Sequence, residues 1–129
     1  MVLSECRKGS KNGTHWLDMR GNHDAFDVLE NHDEFANPYL THAATGIGHA
    51  RSYLEQVTLN DKLVSFVSVD ATPIPGLKRP FNFFGYIDND ELTEIQAMKA
   101  KAEDDLSDYT IYFGHYPTSA VTVANNSLR

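Results

Sequence analysis

Leu63-Val64-Ser65-Phe66-Val67-Ser68-Val69 has apolar side chains at both alternating sets of positions. A strand that is apolar on both faces is typical of the interior of a sheet with layers packed on either side. Lys62 to Asp70 is therefore predicted to be an interior strand, and the prolines that follow it end the ladder because proline has no N–H to donate. Arg51 to Thr58 is predicted to be a partly exposed strand. A hairpin turn at Leu59-Asn60-Asp61 is predicted to join it to the interior strand that follows.

The clearest helical pattern begins at Asp88. This residue is predicted to cap the helix, and Glu91, three positions later, completes a pattern typical of a capping box. Tyr109 to Phe113 is predicted to be a further strand, and His15 to Arg20 a short one. Strands and helices in this order indicate an α/β fold. The helix is predicted to extend to Ala102, with an apolar stripe formed by Leu92, Ile95, Met98 and Ala102.

Length and charge restrict the classes of function. A chain of 129 residues is one domain or less. Its formal net charge of −7 argues against binding to nucleic acid, which requires clusters of Lys and Arg on the phosphates. A phosphate-bearing substrate remains compatible with that charge, because bound metal ions can supply positive charge. No apolar run approaches the roughly 18 residues of a membrane span, so no span is predicted in this chain.

Two short motifs carry the candidate chemistry, and each follows a predicted strand: Gly21-Asn22-His23-Asp24 and Gly114-His115. The amide oxygen of Asn22 and the imidazole of His115 are candidate ligands in a site where two divalent ions clamp a phosphoryl oxygen. His23 is a candidate to donate a proton to the leaving group, with Asp24 orienting its ring. Taken alone, an Asn-His pair in a turn also fits ordinary turn chemistry.

Together these motifs resemble a known superfamily. Gly21-Asn22-His23-Asp24 resembles the third motif of the calcineurin-like metallophosphoesterases, and Gly114-His115 resembles their fourth. The stretch from Ser68 to Gly85 is similar to the transmembrane protein 62-like branch of that superfamily, with its Val-Asp-Ala-Thr, Lys-Arg-Pro and Asn-Phe-Phe-Gly succession. The resemblance extends from about Trp16 to about Val121.

The resemblance implies a four-layer sandwich, in which a β-sandwich is flanked by helices and the metals lie at the carboxyl ends of strands. It implies two divalent metal ions in the complete domain and hydrolysis of a phosphoester. Asn22 and His115 are then ligands of the same metal, and His23 is the general acid supported by Asp24. Full-length relatives of this branch are expected to be anchored in a membrane.

The sequence also departs from the superfamily pattern. It contains no Asp-x-His, no Gly-Asp-x-x-Asp and no Gly-His-x-His. Residues 1–129 are therefore expected to be a central fragment of the phosphoesterase domain, incomplete at both ends, with at most a partial metal site. The alternative is a non-catalytic truncated product or an interaction-only remnant. His15, His32, His42 and His49 are interpreted as surface residues. Asp70 is interpreted as a cap of the loop after its strand, with a supporting role behind the site as the alternative.

Overall fold

The structure is a computed structural model that describes residues 17, 19–25, 51–73, 81 and 83–124. Of Asp24 and Ala25 it describes the backbone alone. The four histidines predicted to lie at the surface, at positions 15, 32, 42 and 49, fall outside the described residues.

A three-stranded sheet organises the described part of the chain. Its strands are β1 (Tyr53–Leu59), β2 (Lys62–Val69) and β4 (Tyr109–Gly114), in the order β1-β2-β4. β2 is antiparallel to β1 and parallel to β4. The predicted interior strand is confirmed, because β2 lies between its two neighbours and Val67 in its middle is fully buried.

The predicted hairpin between β1 and β2 is also confirmed. Leu59 pairs with Lys62, which leaves Asn60 and Asp61 as the two turn residues. Both have a positive φ, 49° at Asn60 and 62° at Asp61. A two-residue turn with both residues in the left-handed region matches the twist of the flanking strands, and Asn and Asp adopt that region more readily than most residues.

The helix α1 (Asn89–Asp104) begins where the sequence predicts. The side chain of Asp88 accepts a hydrogen bond from the backbone N–H of Glu91 at 2.8 Å, so it is the N-cap. Only the Asp88 half of the predicted capping box is seen. The Glu91 carboxylate accepts hydrogen bonds from the backbone N–H and the hydroxyl of Ser52 instead. The predicted stripe packs against the sheet, with Leu92, Ile95 and Met98 half-buried and Ala102 buried.

A second sheet pairs two three-residue strands, β3 (Gly85–Ile87) and β5 (Val121–Val123), in parallel. Neither strand was predicted, because three residues are too few to show an alternating pattern. Gly85 permits close packing here, since a Cβ on it would lie 3.0 Å from the Cβ of Ala71. An apolar cavity of about 330 Å³ is lined by side chains of both sheets, including Val69, Ile87 and Val121.

The strand predicted for His15 to Arg20 is not seen in the part of that segment that the structure describes. Leu17, Met19 and Arg20 have no strand assignment. Arg20 reaches the sheet through its side chain, which pairs with Asp70, instead of through a backbone ladder. The chain then enters a 3-10 helix at Asn22–Ala25. The four-layer sandwich remains a prediction from the resemblance.

No helix among the described residues is long and apolar enough to cross a membrane.

Replacing Asp88 provides a test of the helix cap. Asp88→Ala is expected to lower the free energy of unfolding by about 1 kcal/mol, because the N–H of Glu91 loses its acceptor. Asp88→Asn keeps an oxygen acceptor and should recover most of that loss, although it gives up the ion pair with Arg51. Urea denaturation followed by circular dichroism measures both. Equal losses in the two variants would show that the ion pair, and not the cap, is the stabilising contact.

Candidate functional site

The parallel strands β2 and β4 end at the same edge of the sheet. Val69 is in register with Gly114, so the residues that follow, Asp70 and His115, leave the sheet side by side. Polar side chains just beyond the carboxyl ends of neighbouring parallel strands are a common arrangement of binding sites. This edge is where the two sequence motifs meet.

The side chains of Asn22 and His115 are in contact. The His115 Nε2 and the Asn22 Oδ1 lie 3.0 Å apart, although the residues are 93 positions apart in the chain. Because the amide oxygen can only accept, the ring nitrogen donates in this hydrogen bond. His115 is exposed and Asn22 is half-buried, so both atoms lie close to solvent.

Gly21 makes this contact possible. A Cβ at that position would lie 2.9 Å from Cε1, 3.0 Å from Nδ1 and 3.1 Å from Nε2 of His115. The imidazole therefore rests directly on the glycine backbone. The first residue of the Gly-Asn-His motif is small because the ring from the other motif occupies the space of a side chain.

Arg20, immediately before Gly21, is joined to Asp70. Its Nε and Nη2 donate to the same carboxylate oxygen, Oδ2, at 3.1 and 2.7 Å. Both side chains are almost completely buried, with exposed fractions of 1% and 0%. Charged groups are seldom buried to this degree unless they are paired, because removing them from water is costly. This ion pair fixes the segment before Asn22 to the end of β2.

Asp70 is held from its other side by the main chain. Its Oδ1 accepts from the backbone N–H of Thr72 at 2.8 Å, which is the loop-capping role predicted from the sequence. Its own N–H donates to the hydroxyl of Ser52 at 3.0 Å. That hydroxyl in turn donates to the carboxylate of Glu91. The cap is predictable from the residues around Asp70, whereas its ion pair with Arg20 is not.

Arg51 lies among three carboxylates near the start of α1, those of Asp70, Asp88 and Glu91. It forms an ion pair with Asp88 at 3.0 Å, approaches the Glu91 carboxylate at 3.5 Å and lies 3.8 Å from Asp70. It also donates to the backbone carbonyl of Thr72 at 3.0 Å. The backbone N–H of Glu91 lowers the pKa of Asp88, and the hydrogen bond from Arg51 adds to that effect. Burial raises the pKa of Glu91 despite its hydrogen bonds from Ser52.

The raised pKa of Glu91 has a consequence for stability. A carboxyl group that binds its proton more tightly in the folded state stabilises the fold most below its unfolded pKa, near the ordinary 4.5, and that contribution is lost as the pH rises through the higher folded pKa. Glu91→Gln cannot titrate. Its free energy of unfolding relative to the unmodified chain is therefore expected to improve from pH 4 to pH 7. Thermal unfolding across that range measures the difference, and a difference that is constant with pH would contradict the assignment.

Tyr116 follows His115 and packs against it. The two rings are edge-to-face, with their centroids 5.2 Å apart. Burial raises the pKa of Tyr116, so its phenol stays neutral near physiological pH. Its ring also crowds Gly85, whose added Cβ would lie 3.0 Å from the Tyr116 Cγ. Tyr116 therefore links the site edge to the second sheet.

The predicted acid pair is only half described. His23 is exposed in the 3-10 helix that starts at Asn22, on the same turn as the Asn22–His115 contact. The side chain of Asp24 lies outside the described residues, so its orienting role for His23 stays a prediction.

The donor set bears on whether a metal ion fits here. Asn22 presents a neutral oxygen and His115 an imidazole nitrogen, and their 3.0 Å separation is close to that of two ligands held about 2.1 Å from one ion at a right angle. In the described part of the chain there is no group of three or more His, Cys, Asp or Glu side chains able to hold a metal ion. The two residues fit part of a metal coordination sphere.

Comparison with known proteins identifies one relative. The chain is 36% identical, over 128 residues, to transmembrane protein 62 of Mus musculus. The chain is a homologue of part of that protein. The alignment covers 99% of this chain and 19% of the relative, so the chain spans about a fifth of the relative's length. No protein-family profile and no solved structure matches the chain.

Proposed function

We propose that this chain contributes the Asn22–His115 half of a metallophosphoesterase site, in which divalent metal ions assist hydrolysis of a phosphoester. The observation that carries the proposal is the 3.0 Å contact between the Asn22 and His115 side chains. Two motifs far apart in the sequence supply an oxygen and a nitrogen donor at one point. Homology to transmembrane protein 62 agrees with the branch that the sequence resembles.

In this proposal each described residue has a distinct role. The Asn22 Oδ1 and the His115 Nε2 would hold one ion, with the His115 ring proton on Nδ1. Such an ion would supply polarisation of the phosphoryl oxygen and activation of water. The exposed His23, on the turn that carries Asn22, donates a proton to the departing oxygen. In the complete domain a second divalent ion would be held by ligands from motifs that this sequence lacks. The substrate is a phosphoester whose alcohol group is unknown.

Zinc titration of the isotopically labelled chain tests the metal half-site. The resonances of the Asn22 side-chain amide and the His115 ring are expected to shift together, because both donors belong to one ion. His115→Ala should abolish the shift at Asn22. His49→Ala is the control, because no ligand role is predicted for His49 from the sequence. A shift at Asn22 that survives His115→Ala would refute the shared ion.

Activity is expected to be negligible in this chain alone. The sequence lacks the Asp-x-His, Gly-Asp-x-x-Asp and Gly-His-x-His motifs that complete a two-metal site in the superfamily it resembles. Hydrolysis of an aryl phosphate monoester and diester with Mn²⁺ or Zn²⁺ measures it. Metal-dependent turnover that disappears in His115→Ala would show that two described ligands suffice, contrary to this prediction.

A further inference from the structure

We propose that Arg20 and Asp70 form a positioning pair that places Asn22 and Gly21 against His115. The inference rests on the proposed function only for its consequence on metal binding. The placement of Gly21 and Asn22 against His115 is inferred from the contacts alone. Neither residue touches the candidate ligand atoms, so neither is proposed to be catalytic.

Three consecutive residues make three different contacts at one sheet edge. Arg20 is bound to Asp70 at the end of β2, Gly21 lies under the ring of His115, and Asn22 contacts the Nε2 of that ring. Since β2 and β4 end in register, the anchor of the loop and its target are neighbouring positions of one sheet. Fixing Arg20 therefore fixes the place of the next two residues relative to His115.

Asp70 and Arg20 are held by several hydrogen bonds. The Asp70 carboxylate uses Oδ1 for the N–H of Thr72 and Oδ2 for Arg20, and its own N–H is bound to Ser52. Two nitrogens of the guanidinium meet Oδ2, and the side chain is 1% exposed. An arginine bound through two nitrogens has few rotamers available, so the backbone at Arg20 stays at a fixed place relative to the end of β2.

Stability alone does not explain where the pair lies. Replacing a buried ion pair by apolar residues of similar volume is often neutral or stabilising, so such a pair is weak evidence of a stabilising role. Arg20 lies two positions before the candidate ligand Asn22, and Asp70 follows the strand end beside the one that carries His115, so the pair lies where a support for that site would lie. Removing a group that is hydrogen-bonded directly to a metal ligand typically changes metal affinity about 10–100-fold, and this pair lies one contact further out, so an effect at the lower end of that range is expected.

A nuclear Overhauser effect between His115 Hε1 and Gly21 Hα measures the positioning directly. One Hα of Gly21 points along the direction in which a Cβ would lie 2.9 Å from the His115 Cε1. The unmodified chain should show this cross-peak. Arg20→Lys keeps the charge but loses the contact of two nitrogens with Oδ2. This variant should lose the cross-peak and bind Zn²⁺ about 10-fold more weakly at His115.

Asp108→Asn is the matched control. Asp108 lies at the opposite end of β2, where it accepts from the N–H of Leu63 at 2.9 Å and from the Lys62 ammonium at 2.7 Å. This variant loses an ion pair of the sheet but should keep the cross-peak. A double variant, Arg20→Met with Asp70→Asn, is the second variant if Arg20→Lys does not fold, because it removes both buried charges and keeps a side-chain oxygen for the N–H of Thr72. It too should lose the cross-peak.

The outcomes separate the two proposals. A cross-peak that persists in folded Arg20→Lys or in the double variant overturns the positioning role, and so does its absence from the unmodified chain. Loss of the cross-peak in Asp108→Asn as well would overturn it too, because the effect would then be one of general destabilisation. If the cross-peak behaves as expected but Zn²⁺ shifts neither Asn22 nor His115, the metal proposal fails and the positioning role stands.

Discussion

Asp70→Ala is expected to lower the free energy of unfolding by about 3–5 kcal/mol, because it leaves the Arg20 guanidinium buried with no carboxylate. It also removes the acceptor for the N–H of Thr72. Domains are typically stable by only about 5–15 kcal/mol, so this one change removes much of the total. Urea denaturation followed by circular dichroism measures the loss.

Asp105→Ala is the comparison for that experiment. Asp105 forms an ion pair with Lys101 at 2.7 Å on the surface at the end of α1. Exposed pairs of this kind contribute little, so the variant should stay close to the unmodified chain. If Asp70→Ala is as mild as Asp105→Ala, Arg20 must escape to solvent when its partner is lost, and the buried ion pair would not anchor the loop.

Gly21→Ala is expected to have the largest effect on the candidate site with little effect on the fold. Its Cβ would lie 2.9 Å from the His115 Cε1, closer than Cβ contacts allow, and 3.0 and 3.1 Å from the two ring nitrogens, which is tighter than most such contacts. The loop is held by Arg20, whereas the ring is exposed, so the ring is the part expected to move outward. The ring should therefore leave Asn22, and Zn²⁺ affinity at His115 should fall at least about 10-fold.

Gly114→Ala separates this site effect from strain in the sheet. A Cβ on Gly114 would lie 3.2 Å from the backbone carbonyl oxygen of Val69, an atom of the neighbouring strand that cannot turn away. This variant should lower the thermal midpoint, while Gly21→Ala should leave it nearly unchanged. If Zn²⁺ still shifts the resonances of Asn22 and His115 in Gly21→Ala as it does in the unmodified chain, the prediction is wrong.

The buried pair of Arg20 and Asp70 lies next to the two motifs that resemble those of calcineurin-like phosphoesterases, so it leads to an expectation for the related protein. The two motifs that carry the resemblance contribute the atoms that meet, Asn22 Oδ1 and His115 Nε2. Arg20 and Asp70 flank those motifs, one immediately before Gly21 and one at the strand end beside Gly114. If the positioning role is correct, the homologous part of transmembrane protein 62 should contain a pair of equivalent function.

The sequence alone determined the local elements of this protein. The doubly apolar β2, the hairpin turn at Asn60-Asp61 and the capped helix α1 were predicted because each depends on side chains near one another in the chain. It also indicated which residues are candidates for a functional site, since Gly-Asn-His and Gly-His are local motifs. The three-residue strands β3 and β5 were not predictable, because each forms only when its distant partner is present.

Only the tertiary structure decided how the motifs combine. The register of β2 with β4 places Asp70 beside His115, and nothing local to either strand specifies that register. Asp70 by itself predicts a loop cap, and its second oxygen acquires a partner only when Arg20 folds back from 50 positions away. The sequence around Gly21 predicts a turn glycine, and only the folded structure places the His115 ring against it. The physical reason is common to all three: close contacts between segments distant in the chain depend on burial and strand register, which no short stretch of sequence contains.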